Sequence, residues 1–159
     1  MTKGDISPLQ YMRAHGNSPG PTHRPMLTGC LSGLIACLPA LLVRHYAGTL
    51  NAEAAALGVN VEVAVVAVVA ISIVIGLVYA AVFQRAANDT RGGWLFGSSF
   101  GFLIWMLGPV EIWQALTGHS MAGGGAAIGL FGSYVLFGLI LGNVFPLVNK
   151  VLQKELKAI

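Results

Sequence analysis

Uncharged, apolar residues run along this chain in four long blocks, at 26–43, 63–84, 92–110 and 124–148, and charged or turn-forming residues close each block. About 20 apolar residues in a helix cross a hydrocarbon layer roughly 30 Å thick. Inside lipid every backbone amide must be paired within the structure, so a span is either a helix or part of a closed barrel. Blocks this continuous lack the alternation of a barrel strand. The pattern therefore predicts an all-α membrane protein with four transmembrane helices arranged as two hairpins.

Composition supports this: 55% of the 159 residues are hydrophobic and 9% charged, and the mean hydropathy is +0.74, which excludes an ordinary soluble core. The basic residues set the expected orientation, because Lys and Arg concentrate in cytoplasmic loops. Lys3, Arg13 and Arg24 precede the first block, Arg85 and Arg91 separate the second from the third, and Lys150, Lys154 and Lys157 follow the fourth; only Arg44 falls on the other side. Both termini are expected in the cytoplasm of a bacterial cell, with the spans in its inner membrane. The net charge of +3 is accounted for by these loops and gives nucleic-acid binding no support. The first 25 residues are polar and proline-rich, unlike a secretory signal.

The chain divides into an N-terminal cytoplasmic tail (1–25), the transmembrane domain (26–149) and a cytoplasmic tail (150–159). Ser7-Pro8-Leu9-Gln10 reads as a helix cap with Pro at the first helical position, predicting a short helix at 8–15 before the extended Ser18-Pro19-Gly20-Pro21 stretch. At the other end Val151, Leu152, Leu156 and Ile159 recur at helical spacing between lysines, so an amphipathic extension of the fourth helix is expected at the anionic inner surface. Cys30 and Cys37 lie seven apart on one helix, about 10 Å along its axis, and cannot bridge each other.

Apolar side chains gain little by exchanging lipid for protein, so membrane helices associate where small residues four apart let backbones approach. Gly29 and Gly33, Gly97 and Gly101, Gly125 and Gly129, and Gly138 and Gly142 carry that spacing. The halves also echo each other: 76–83 lines up with 138–145, and Gly29, Gly33 and Pro39 with Gly97, Gly101 and Pro109, as in a parallel two-plus-two repeat. Pro39, Pro109 and Pro146 are expected to kink or end their helices.

Few polar groups need a chemical reason. Arg44 and Glu111 fall about 17 to 19 residues into their spans, near one membrane edge, and an ion pair between them is expected. His45 and His119 lie on that same side and are candidate haem or metal ligands. Asn143, Ser72, Ser98 and Ser99 offer interhelical hydrogen bonds. Gly97-Ser98-Ser99-Phe100-Gly101 has the spacing of a nucleophile elbow, but lacks the strand, turn, histidine and acid that chemistry requires. Phosphate loops, metalloprotease helices and cysteine metal sites are missing too.

Gly93-Trp94-Leu95-Phe96-Gly97, Gly101-Phe102-Leu103-Ile104-Trp105-Met106 and 134–142 together resemble small four-span bacterial inner-membrane proteins of uncharacterised activity. Where those proteins often carry a histidine before the closing Gly-Leu-x-Leu-Gly, this chain has Ser133 and Tyr134. The resemblance implies fold and location. Packing motifs without a chemical site favour a non-catalytic accessory subunit of a larger membrane complex, respiratory or photosynthetic, with no cofactor of its own and with bound lipid. A small oligomeric transporter or channel using Arg44, Glu111 and Asn143 is the alternative, and a haem- or quinone-binding membrane subunit the third reading.

Overall fold

The computed structural model describes residues 22, 24–83, 86–90, 92–118 and 125–157, which are helical apart from short turns and contain no strand. Helix α1 runs over Pro25–Tyr46, the short α2 over Thr49–Leu57 and α3 over Val61–Phe83. A 3-10 turn at Ala86–Asn88 leads to α4, Gly93–Trp105, which widens into a π-helical segment at Met106–Ile112 and resumes as α5, Trp113–Thr117. Helix α6 spans Gly125–Lys157. Four stretches, Pro25–Tyr46, Val61–Phe83, Gly93–Ala115 and Gly125–Lys154, are long and apolar enough to cross a bilayer, so the chain is a multi-pass membrane protein. The helix expected at 8–15 lies outside the described residues.

Local chemistry explains the boundaries. Pro25 opens α1 where its missing N–H costs nothing. The Asn60 side chain caps α3 by accepting a hydrogen bond from the Val63 amide at 3.0 Å. Gly48 and Gly58 bracket α2 with φ of 72° and 65°, a left-handed conformation that a side chain resists. None of the three prolines ends its helix. Pro109 has no N–H to donate and its ring would press on the carbonyl four residues back; the wider π turn around it relieves both problems.

Helices α1 and α6 form the centre of the bundle, with 39% of each span buried, while α3 (17%) and the α4 span (22%) flank them. Each flank is held by glycine. A Cβ on Gly29 would stand 2.5 Å from the Gly76 carbonyl oxygen, and one on Gly33 would stand 2.6 Å from that of Ser72. On the other flank the Gly97 and Gly138 carbonyl oxygens each occupy the space a Cβ of the other would need, and Gly93 and Gly142 repeat the arrangement. Gly101 meets the Tyr134 carbonyl in the same way. Backbones this close make extended van der Waals contact and bring Cα–H groups against carbonyl oxygens, interactions of about 0.5–1 kcal/mol each that do not depend on expelling water. Gly129 packs against Ala47 and Thr49, whereas Gly125 and Gly132 face open space.

The flanks α3 and α4 barely approach each other through their backbones. Aromatic rings bridge the gap at one end: Phe83 meets Phe96 at 4.7 Å and Phe100 at 5.3 Å, and Tyr79 meets Phe100 at 5.0 Å and Phe145 of α6 at 5.5 Å. Tyr79, Phe100, Phe137, Leu141 and Phe145 form the buried core there, with Ala36, Ala40 and Ala80. Trp105, near the middle of its span, packs edge-on against Phe131 at 5.0 Å. Both cysteines are free thiols.

Gly97→Ala forces a Cβ into the Gly138 and Gly142 backbones, where nothing flexible can yield, and is expected to cost about 1–3 kcal/mol in SDS-induced unfolding. Gly132→Ala meets nothing within 4 Å and is expected to be neutral or to stabilise by under about 1 kcal/mol through helix propensity. Equal costs at both positions would refute the packing account.

Candidate functional site

Because α3 is anchored on α1 and α4 on α6, nothing fills the space between the flanks except side chains. At the Ala86–Asn88 end those are large aromatic rings. Towards α2 they shrink to Ala64, Ala67, Val68, Ile71 and Ile75 on α3, opposite Ile104, Leu107, Gly108, Pro109, Ile112 and Trp113. A cleft of about 560 Å³ results, within the range of small-molecule sites. Leu57, Ile71, Leu107 and Ile112 line it and are also exposed, so it opens sideways through the gap between the flanking helices, where lipid would lie.

The described lining residues with polar side-chain atoms are Arg44, Glu53, Trp113 and Tyr134. Arg44 is 7% exposed. Its Nε donates to Ser133 Oγ at 3.1 Å, and the Ser133 hydroxyl donates onward to the Leu130 carbonyl at 2.7 Å. Its Nη1 donates to both carboxylate oxygens of Glu53, at 3.1 and 3.2 Å. The guanidinium lies over the Tyr134 ring, 4.7 Å from the centroid, a cation–π contact that strengthens when water is excluded. Glu53 comes from α2, which rests on the bundle through Leu50, Ala54 and a hydrogen bond from Thr49 Oγ1 to the Ala126 carbonyl at 3.3 Å. Burial pushes the Glu53 carboxyl above the ordinary glutamate range, and the charge and hydrogen bonds of Arg44 pull only part of the way back.

The expected Arg44–Glu111 pair is not formed: Arg44 turns inward to Glu53, and Glu111 sits exposed on the π segment. The physical reason is the face of the bundle on which each group lies. Arg44 lies on a central helix and its charge is buried, so it takes the carboxylate that α2 folds over it; Glu111 occupies an outer face and needs no partner of that kind. His45 is exposed and stacks edge-on with Tyr46 at 5.6 Å, while His119 lies outside the described residues. Asn143 is exposed, its Nδ2 bonded to the Leu139 carbonyl at 2.8 Å, and neither it nor Glu111 lines the cleft with Arg44. Ser98 and Ser99 donate to carbonyls of their own helix, at 2.7 and 2.9 Å. Among the described residues no group of three His, Cys, Asp or Glu side chains could hold a metal ion.

Comparison with protein-family models, curated proteins and solved structures finds no match. The site is therefore read from its own geometry.

Glu53 and Tyr134 are the residues that hydropathy did not single out as partners of Arg44. The usable signal was a helix-forming Thr-Leu-Asn-Ala-Glu-Ala-Ala-Ala-Leu run set between Gly48 and Gly58, whose Glu53 lies only nine residues beyond Arg44.

Arg44→Met leaves the Glu53 carboxylate without its counter-charge in a largely buried place; proton uptake by Glu53 limits the damage, and a loss of about 2 kcal/mol is expected. Since the folded-state pKa of Glu53 is raised, its contribution to stability is fully present below the ordinary glutamate value, about pH 4.3, and is lost as pH rises through the raised value. Glu53→Gln is expected to flatten that part of the stability–pH curve. An unchanged curve would show that Glu53 does not titrate as its burial requires.

Proposed function

We propose that this protein is a non-catalytic membrane subunit that holds one chain of a lipid-like amphiphile in the cleft between α3 and the π segment. The observation that carries the reading is a laterally open, apolar cleft whose polar end is built around a buried guanidinium–carboxylate pair. An acyl or prenyl chain would find apolar walls of Ala, Val, Ile and Leu, and its polar end would find Arg44. In lipid such a chain gains nothing from leaving water, so recognition rests on the fit of the cleft and on the one polar contact.

Orientation belongs to the same proposal. Eight of the nine Lys and Arg residues precede α1, lie between α3 and α4, or belong to the stretch from Lys150 onward, which supports a topology with both termini in the cytoplasm and the α2 end of the cleft in the outer leaflet of a bacterial inner membrane. The repeat reading is supported by equivalent contacts: Gly29 on Gly76 corresponds to Gly97 on Gly138, and Gly33 on Ser72 to Gly101 on Tyr134. Two related helical hairpins, joined through α1 and α6, account for this.

Membership of a larger complex is a second proposal; Val63, Val66, Ile71, Val74, Val78 and Val82 on α3 are exposed and open to another subunit, although such side chains gain little by exchanging lipid for protein. The glycine faces do not add to it, since those with close contacts are engaged within the chain.

Purification in mild detergent followed by native mass spectrometry tests the binding reading. The wild-type protein is expected to retain a bound amphiphile that Ala67→Trp, which fills the cleft from α3, releases. Equal retention by both proteins would place the lipid elsewhere and remove the cleft from the argument.

Sidedness is read separately, in a background where Cys30 and Cys37 are replaced by alanine. A cysteine at Ala56 is expected to react with an impermeant maleimide in intact cells, and one at Thr90 only after permeabilisation. The reverse pattern would invert the proposed topology.

A further inference from the structure

We infer that the head of the cleft's occupant is an electrically neutral oxygen acceptor, such as a ketone, ester or quinone carbonyl, received by the Nη2 group of Arg44. This inference rests on the proposed binding of an amphiphile and specifies its head chemistry.

Arginine carries five N–H donors in a rigid fork and keeps its charge when buried. Ser133 occupies Nε, Glu53 occupies Nη1 through both of its oxygens, and Tyr134 covers a face of the guanidinium. Nη2 has no acceptor among the described residues, although Arg44 is more than nine-tenths buried and lines the cleft. A donor that opens into an apolar cleft gains from an acceptor that the occupant presents there, because little else in the cleft can meet it.

Charge decides what kind of acceptor. Among the described residues Arg44 and Glu53 are the only charged ones in the cleft lining, and they already neutralise each other. A carboxylate, sulfonate or phosphate head on Nη2 would stand beside the Glu53 carboxylate in an apolar setting, with no second cation among the described lining residues to offset the repulsion. A neutral carbonyl supplies the acceptor without adding charge. The arrangement thus selects against anionic lipids, and Glu53 is the element of that selectivity.

Competition photolabelling in lipid nanodiscs tests this. A long-chain diazirine probe is displaced by either a methyl ketone or a sulfonate of the same chain length, the sulfonate being ionised at every working pH. The wild-type protein is expected to prefer the ketone by about tenfold or more. Glu53→Gln leaves the site cationic and is expected to equalise or reverse that preference, whereas Glu53→Asp, which keeps the charge, retains it and shows that the variant site still folds. A wild-type preference for the sulfonate, or a ratio that Glu53→Gln leaves unchanged, overturns the inference while leaving chain binding intact. If the probe fails to label cleft residues at all, the binding reading fails and this inference falls with it.

Discussion

The fold depends on how closely two helix backbones can approach in a solvent as apolar as their own side chains. Water cannot drive these helices together, so contact area and backbone-to-backbone interactions have to suffice, and both require that no Cβ stand between the axes. Gly29, Gly33 and Gly76 meet this condition on one flank, and Gly93, Gly97, Gly101, Gly138 and Gly142 on the other. Since the close contacts join α1 to α3 and α4 to α6, the flanking helices are committed to different partners. The space between them is a consequence of that commitment.

What happens to that space follows from side-chain size. Tyr79, Phe83, Phe96 and Phe100 close it at one end, and a run of Ala, Val and Ile on α3 leaves it open at the other. Pro109 contributes by imposing a π turn on the opposite wall, a local loosening of helical winding that often accompanies a binding surface. The two left-handed glycines at the ends of α2 let that short helix fold back over the opening, which brings Glu53 to Arg44. One buried cation is thereby neutralised by a residue from a connecting segment, and the polar end of the cleft is assembled from α1, α2 and α6.

This arrangement also explains why the buried pair is retained although a hydrophobic replacement of equal volume would cost less desolvation. Arg44 ties three elements together through directional bonds to Ser133 and Glu53 and its ring contact with Tyr134. Apolar contacts alone would specify neither the position of α2 nor a polar end to an otherwise greasy cleft.

The spans were legible from hydropathy because the backbone's need for internal hydrogen bonds leaves a long apolar block no other conformation. The glycine spacing was likewise legible, since four-residue periodicity is a property of a single helix. Partner choice was not: Gly129 has a neighbour while Gly125, four residues before it, has none, and only the assembled bundle distinguishes them. The same holds for Arg44, whose depth along the chain pointed to Glu111, whereas the bundle pairs it with Glu53. Depth is a one-dimensional quantity that sequence reports well, whereas the direction in which a side chain leaves its helix, and so which carboxylate it reaches, is set by the rotation of each helix against its neighbours. The cleft belongs wholly to that second kind of information, being a volume bounded by α1, α2, α3, α6 and the stretch from α4 to α5, with no local signature in any one of them.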